Sequence, residues 1–236
     1  MNWLSNISDS RPINSLSLPG THDSGSRYGG PPTICQDLTI QEQLESGVRV
    51  LDIRCRHISD VFMIHHGIIY QHLSFGSGVR DVCIEFLKQN PSEFIYMSIK
   101  EEYDSSNITR SFGETMQSYI DGFEDYFFLD PVSPTLGQVR GKIVILRRFK
   151  SMTTKMGNYI NFQDNAIFTS DYTILARVQD CYEVSSLFAR STKWEHIQQL
   201  LNESKSSTDK NELFWNFCSG VSALCYPFST AEYINP

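Results

Sequence analysis

Apolar positions along the chain fall into short runs separated by longer amphipathic segments. Val48 to Arg54 predicts a strand with Val48, Val50, Asp52 and Arg54 on one face and Leu51 and Ile53 on the other. Val61 to Ile64 reads as a strand that runs directly into His65-His66-Gly67, and Phe94 to Ile99 as one that closes with Lys100. Ile143 to Leu146 follows Gly141 and ends in Arg147-Arg148, Leu213 to Phe217 is a late strand, and Leu16 to Leu18 is a brief run stopped by Pro19-Gly20. Helical spacing lies between the strands. Thr39 to Ser46 opens on a Thr39/Glu42 capping box and stops at Gly47. Ser77 to Gln89 aligns Val79, Val82, Cys83, Phe86 and Leu87 before Asn90-Pro91, and a further helix is predicted from about Thr109 to Ile120. Ser204 to Asn211 is polar and reads as a surface loop.

Strands that alternate with helices point to an α/β fold with parallel pairing. His22, Arg54, His66, Lys100 and Arg148 each stand at or just past the C-terminal end of an apolar run. In a parallel barrel those ends open on one face, where such folds build their sites, so a barrel would gather all five. An open doubly wound sheet would also do so, but the chain has neither a Gly-x-Gly-x-x-Gly nor a Walker A loop. The 236 residues suit one catalytic barrel spanning 1–236, without repeat or linker.

Charge and cysteine usage narrow the chemistry. A net charge of −7 argues against nucleic acid as the main partner. Cys35, Cys55, Cys83, Cys181, Cys218 and Cys225 form no Cys-x-x-Cys pair, so a zinc site is not expected; the thiols read as small buried residues, with pairing of some of them in an oxidising compartment the alternative, and no cofactor is expected. Sequons at Asn6, Asn107 and Asn202 matter only in a secreted protein. No signal peptide is visible after Met1, which fits a trimmed secreted chain or a cytoplasmic one, and no segment has the ~20 apolar residues of a membrane span.

Two histidines and an arginine among the gathered residues match a metal-free phosphodiester cleavage. One imidazole takes a proton from a neighbouring hydroxyl, the guanidinium meets charge on the phosphate oxygens, and the other imidazole protonates the leaving group. Asp52 and Arg54, on an inward face, read either as a salt bridge closing the barrel mouth or as part of the site. Adjacent residues of a strand point to opposite faces, so only one of His65 and His66 can enter; His66 shares its face with Phe62 and Ile64.

These segments resemble a known family. Ser17 to Gly25 (Ser-Leu-Pro-Gly-Thr-His-Asp-Ser-Gly), Leu51 to Arg54, His65 to Gly67, Asn90 to Glu93 with Met97 to Lys100, Arg140 to Arg148, Val178 to Tyr182 and Tyr233 to Pro236 occur in the order of the bacterial-type phosphatidylinositol-specific phospholipases C of the X-domain superfamily. The resemblance implies a distorted, incomplete TIM-type barrel. It also implies attack of the inositol 2-hydroxyl on the phosphate, releasing diacylglycerol and a cyclic inositol phosphate. Carried over, His22 is the general base, His66 with Asp23 the general acid, Arg54 the transition-state stabiliser, and Lys100, Arg148, Asp180 and Tyr182 the inositol-binding group. Calcium-dependent relatives carry acidic ligands where Arg54 stands, so no metal is expected. A non-catalytic inositol-phosphate or lipid-binding protein on the same barrel is the alternative.

Three departures from the family pattern stand out. Ser229, beside Phe228, takes the place of a ring-stacking tyrosine. The rim loops offer Ile34, Ile68, Ile69 and Leu224 rather than tryptophans, which implies weak peripheral membrane contact. The family continues past Pro236 into a strand whose Asp orients the first histidine. The chain is therefore expected to lack that final strand, with Asp52 the nearest substitute.

Overall fold

The structure, a computed structural model, describes residues 2–153, 155–223 and 225–235. In chain order the elements are β1 (Gly20–Thr21), α1 (Ile40–Glu45), β2 (Val50–Ile58), β3 (Val61–His66), β4 (Ile69–Ser74), α2 (Asp81–Gln89), β5 (Ile95–Glu101) and α3 (Phe112–Ile120). There follow β6 (Phe127–Phe128), α4 (Leu136–Val139), β7 (Ile143–Arg147), β8 (Asn158–Tyr159), β9 (Ile167–Asp171), β10 (Leu175–Gln179), α5 (Arg190–Ser206), β11 (Leu213–Asn216) and α6 (Pro227–Ile234).

The larger sheet runs β4-β3-β2-β5-β7-β6, and its central pairs β2–β5 and β5–β7 are parallel. A smaller sheet runs β11-β10-β9. Among the described residues no strand ladder joins the two, so the barrel is not closed. Leu51, Ile53 and Cys55 of β2 pack outward with residues of α1, α2 and α3. Tyr96, Val144 and Leu146 face inward and share a second core with Ala176, Val178 and Phe217. Fully burying one such side chain is worth roughly 1.5–3 kcal/mol, so this inner core holds the small sheet against the large one.

Pairing is mixed rather than wholly parallel. β2 turns back at Ser59-Asp60 into β3, which runs antiparallel to it, and β3 turns again into antiparallel β4. β1 pairs with the start of β2 (Thr21 with Leu51) and β3 with its far end (Cys55 with Ile64), along the same edge. The residues after β1 and those ending β3 therefore approach one another from opposite directions. His22 and His66 meet at the middle of β2, beside Asp52 and Arg54.

Several elements differ from expectation. The Thr39/Glu42 capping box forms, with Glu42 N–H on the Thr39 hydroxyl and the Glu42 carboxylate on the Thr39 N–H. The predicted helix from Thr109 begins at Phe112, capped by Ser111, because Thr109 gives its N–H and hydroxyl to Asp60 instead. Gly76 to Arg80 forms a wide π turn ahead of α2; a Cβ at Gly78 would lie 2.2 Å from Leu73 Cδ1, so a larger residue there would force the Leu73 side chain to move. α5 extends to Ser206, into the segment read as a loop.

Candidate active site

Asp52 anchors one half of the site. Its side chain is 3% exposed, and Oδ2 lies 3.4 Å from His22 Nδ1 and 3.3 Å from Arg54 Nη2. The Asp23 N–H donates to the same oxygen at 3.2 Å, while Ser98 Oγ and Arg148 Nη1 reach Oδ1 at 3.5 Å each. The Arg54 and Arg148 cations, with the His22 contact, outweigh burial and hold the Asp52 carboxyl well below the usual carboxylate range. Asp52 forms the expected ion pair with Arg54, and the same oxygen faces His22.

His22 sits at the rim, its side chain 24% exposed. Its Nδ1 lies 3.4 Å from Asp52 Oδ2 and 3.4 Å from Arg54 Nη2; the tautomer protonated at Nδ1 points its N–H toward the carboxylate and leaves the Nε2 lone pair free. Burial, then the Arg54 charge, push its pKa down to about 4, against the pull of Asp52. Gln36 Nε2 donates to the His22 carbonyl at 2.7 Å and fixes the turn, and Phe217 meets the ring edge-on at 6.1 Å.

Asp23, the next residue, serves the other half. Its φ of +44° turns the chain so that neighbouring side chains address different partners. Asp23 Oδ2 lies 3.5 Å from His66 Nδ1 and 3.6 Å from Arg54 Nε. The residue is fully buried and neither carboxylate oxygen accepts a hydrogen bond, so burial pushes its pKa up to about 7 against the Arg54 charge. His66 Nδ1 donates to the Thr33 carbonyl at 2.8 Å, with Ser26 Oγ at 3.2 Å. Burial lowers the His66 pKa and the Thr33 carbonyl opposes it. A Cβ on Gly25 would sit 2.6 Å from Ile64 Cγ2, so Ile64 packs against the segment that follows Asp23; Ile64 pairs with Cys55 in the outward core, and a register shift between Met63 and His65 interrupts the alternation on which the predicted shared face rested. His65 is buried beside Tyr70 instead, with its ring 5.5 Å away.

Arg54 lies between the halves, held by Asp52, Asp23 and Glu102, whose charges outweigh burial and raise its pKa. Lys100, its register partner on β5, pairs with Glu102 Oε2 at 2.9 Å, and Glu102 Oε1 accepts the Gly67 N–H after the second histidine. Sequence reading missed Glu102. The signal was its place two residues past Lys100, at the end of the strand that pairs with Arg54.

The remaining predicted residues spread outward. Arg148 is 4% exposed and lies over the Phe162 ring at 3.5 Å. Asp180, just past β10, is buried, and burial raises its pKa to about 6 despite the Arg148 charge. Tyr182 lies farther out and donates its hydroxyl to Asp164 at 2.8 Å. Ser229 gives its carbonyl to Arg190, and Phe228 beside it is 67% exposed. Leu224 lies outside the described residues. Among the described residues one cluster could hold a metal ion: Asp23, Cys35 and His66, with ligand atoms within 4.8 Å of one another.

Comparison with known proteins finds relatives along the whole chain. The sequence profile of the phosphatidylinositol-specific phospholipase C X domain matches residues 25–149. The chain is 32% identical over 257 residues to a 1-phosphatidylinositol phosphodiesterase of Staphylococcus aureus, covering all of this chain and 81% of that protein. It is 33% identical over 247 residues to the 1-phosphatidylinositol phosphodiesterase of Listeria monocytogenes, covering 99% and 72%. A solved S. aureus phosphatidylinositol-specific phospholipase C superposes on all of this chain and 83% of its own with a TM-score of 0.91 at 31% identity. The L. monocytogenes enzyme superposes on 99% and 84% with a TM-score of 0.82 at 30% identity. The architecture is thus the distorted TIM-type barrel expected from the motifs, and the chain belongs to the phosphatidylinositol-specific phospholipase C family.

Proposed function

We propose that this chain cleaves phosphatidylinositol, or a related inositol phosphodiester, by attack of the inositol 2-hydroxyl on phosphorus. The products are diacylglycerol and inositol 1,2-cyclic phosphate. The observation that carries this reading is the convergence of two imidazoles on one guanidinium, each imidazole with its own carboxylate. Neutral His22 presents Nε2 to the 2-hydroxyl and takes its proton. Asp52 holds the tautomer and stabilises the imidazolium that results. Arg54 faces the charge that grows on the non-bridging oxygens; it is already fixed by three carboxylates and need not reorganise during reaction. His66, as the imidazolium, delivers the Nε2 proton to the departing glycerol oxygen, with Asp23 and the Thr33 carbonyl holding Nδ1. The hydroxyl and the phosphorus belong to one molecule, so positioning supplies much of the acceleration.

Lys100, beside Glu102, and the Arg148–Asp180 couple are the groups we assign to the inositol ring, and charged groups suit a ring whose hydroxyls each lose water on binding. Tyr182 joins this group by the family resemblance. No metal has a part in these steps, because Arg54 stands where a calcium ion would need oxygen ligands. The segments after β10 and β11 expose Phe188 at 92% and Phe228 at 67%, and Ile68 on the loop after His66 is 63% exposed. These residues give the rim more apolar surface for peripheral contact with a lipid bilayer than the isoleucines alone. The test is release of cyclic inositol phosphate from phosphatidylinositol vesicles, with and without excess chelator. Equal product in both is expected; activity lost to chelator and restored by calcium would overturn the mechanism.

A further inference from the structure

Cys35 stands against the proposed acid without serving it. Its Sγ lies 4.0 Å from His66 Nδ1, and Asp23 Oδ2 lies 3.5 Å from the same nitrogen. Asp23 is fully buried, and both its oxygens lack a hydrogen-bond donor. We propose that Asp23, Cys35 and His66 form a binding site for a thiophilic divalent cation of the zinc type, and that its occupation stops phosphodiester cleavage. The inhibitory part rests on the function proposed above; the binding part does not.

The donor set argues for a soft ion. One thiolate, one imidazole nitrogen and one carboxylate oxygen suit zinc, whereas calcium needs six or more oxygens. On a tetrahedral zinc the sulfur and nitrogen ligands stand ~3.5 Å apart, so the observed 4.0 Å needs only a small closure. Ser26 Oγ, 3.2 Å from the ligating nitrogen, or a water could take the fourth position. The reaction balances without redox chemistry. The thiol proton leaves as the zinc–sulfur bond forms, and the imidazole proton moves from Nδ1 to Nε2 as Nδ1 gives up the Thr33 carbonyl. The two anionic ligands neutralise the ion, which limits its repulsion by Arg54, 3.6 Å from Asp23. Three ligands and a nearby guanidinium make this a reversible site rather than a structural one. Metal on Nδ1 keeps His66 as a neutral ligand whose Nε2 proton is held too tightly to protonate an alkoxide. Because a proton is released, binding strengthens as pH rises.

Cobalt(II) is the direct probe, since a thiolate ligand gives it a near-ultraviolet charge-transfer band. The full chain should show that band, zinc should displace it, and Cys35→Ser and Cys35→Ala should lack it. In the vesicle assay both variants should keep basal activity while the zinc concentration for half-inhibition rises at least ~10-fold, the size of losing even an outer-shell contact. No band in the unmodified chain, or a band or zinc inhibition unchanged by both substitutions, overturns the proposal. If the chain releases no cyclic phosphate at all, the cobalt titration still decides the site, and only the function reading fails.

Discussion

Asp52 and Asp23 are the same residue type, both buried, each beside one imidazole and both beside Arg54, yet they live in opposite environments. Asp52 receives a backbone N–H, a serine hydroxyl and two guanidinium groups, and its carboxyl is held far down. Asp23 accepts no hydrogen bond, and burial pushes it up to about 7. The difference teaches that one shared guanidinium does not fix a carboxylate: Asp52 has Arg148 as a second cation and the His22 contact, whereas Asp23 faces the like charges of Asp52 and Glu102. A carboxylate that stays charged suits the partner of a base, and one that can hold a proton near neutrality suits the partner of an acid.

The comparison breaks first on the imidazoles it serves. His22→Ala and His66→Ala should each lower turnover by ~10² to 10⁴, the usual worth of a positioned base or acid, while His65→Ala should cost far less in the same cyclic-phosphate assay. Equal losses at His65 and His66 would falsify the assignment of the acid. The carboxylates come next. Asp52→Asn should lower turnover by up to ~10⁴, as for other bases deprived of their orienting carboxylate, and lower the thermal midpoint because Arg54 and Arg148 lose a buried counter-charge. Asp23→Asn should cost less turnover and raise the midpoint at pH 8. Asp23 has a folded pKa above its unfolded one, so the folded state binds the extra proton between about pH 4 and 7. That contribution to stability is lost as pH rises through this window, and the asparagine variant escapes the loss. A midpoint gap that does not widen from pH 5 to pH 8 in thermal scans refutes this reading.

The smallest expected effect is on the pH profile of kcat/KM. His22 must be neutral, so the acid limb should lie near pH 4; the coupled Asp23–His66 pair must keep its proton, so the alkaline limb should fall near pH 7. Asp52→Asn should move both limbs downward, the acid limb because Asp52 raises the His22 pKa by direct contact and the alkaline limb because its charge also raises Asp23. A shift of the alkaline limb alone would show that the two halves are assigned the wrong way round.

His22, Arg54, Lys100 and Arg148 were legible because each follows an apolar run. His66 was found by the same rule, although β3 runs the other way; it reaches the site because β2 passes beyond Arg54 before turning back. β4 stayed hidden because Ile-Tyr-Gln-His-Leu-Ser carries no alternation of apolar and polar positions; in the fold His72 takes a φ of +54° within it. α5 was missed for a chemical reason. Its buried positions are Lys193, Ile197 and Leu200, at helical spacing, but a lysine at a core position erases the hydrophobic signal. Lys193 is 2% exposed and donates to Gln179 at 2.9 Å, an arrangement only the folded chain can show. The Asp23–Cys35–His66 cluster likewise joins three separate segments and has no signature in residue spacing.

The return of β3 along β2 also has a consequence for the order in which the site can assemble. Ser59 and Asp60, at φ +50° and +59°, form a two-residue turn, so Arg54 and His66 are brought together within one short hairpin. The contact of Arg148 with Asp52 closes 96 residues and needs crossover connections before any reward. The reaction centre can therefore form from local chain, while the groups that would grip the ring wait for the slow, long-range closure of the barrel.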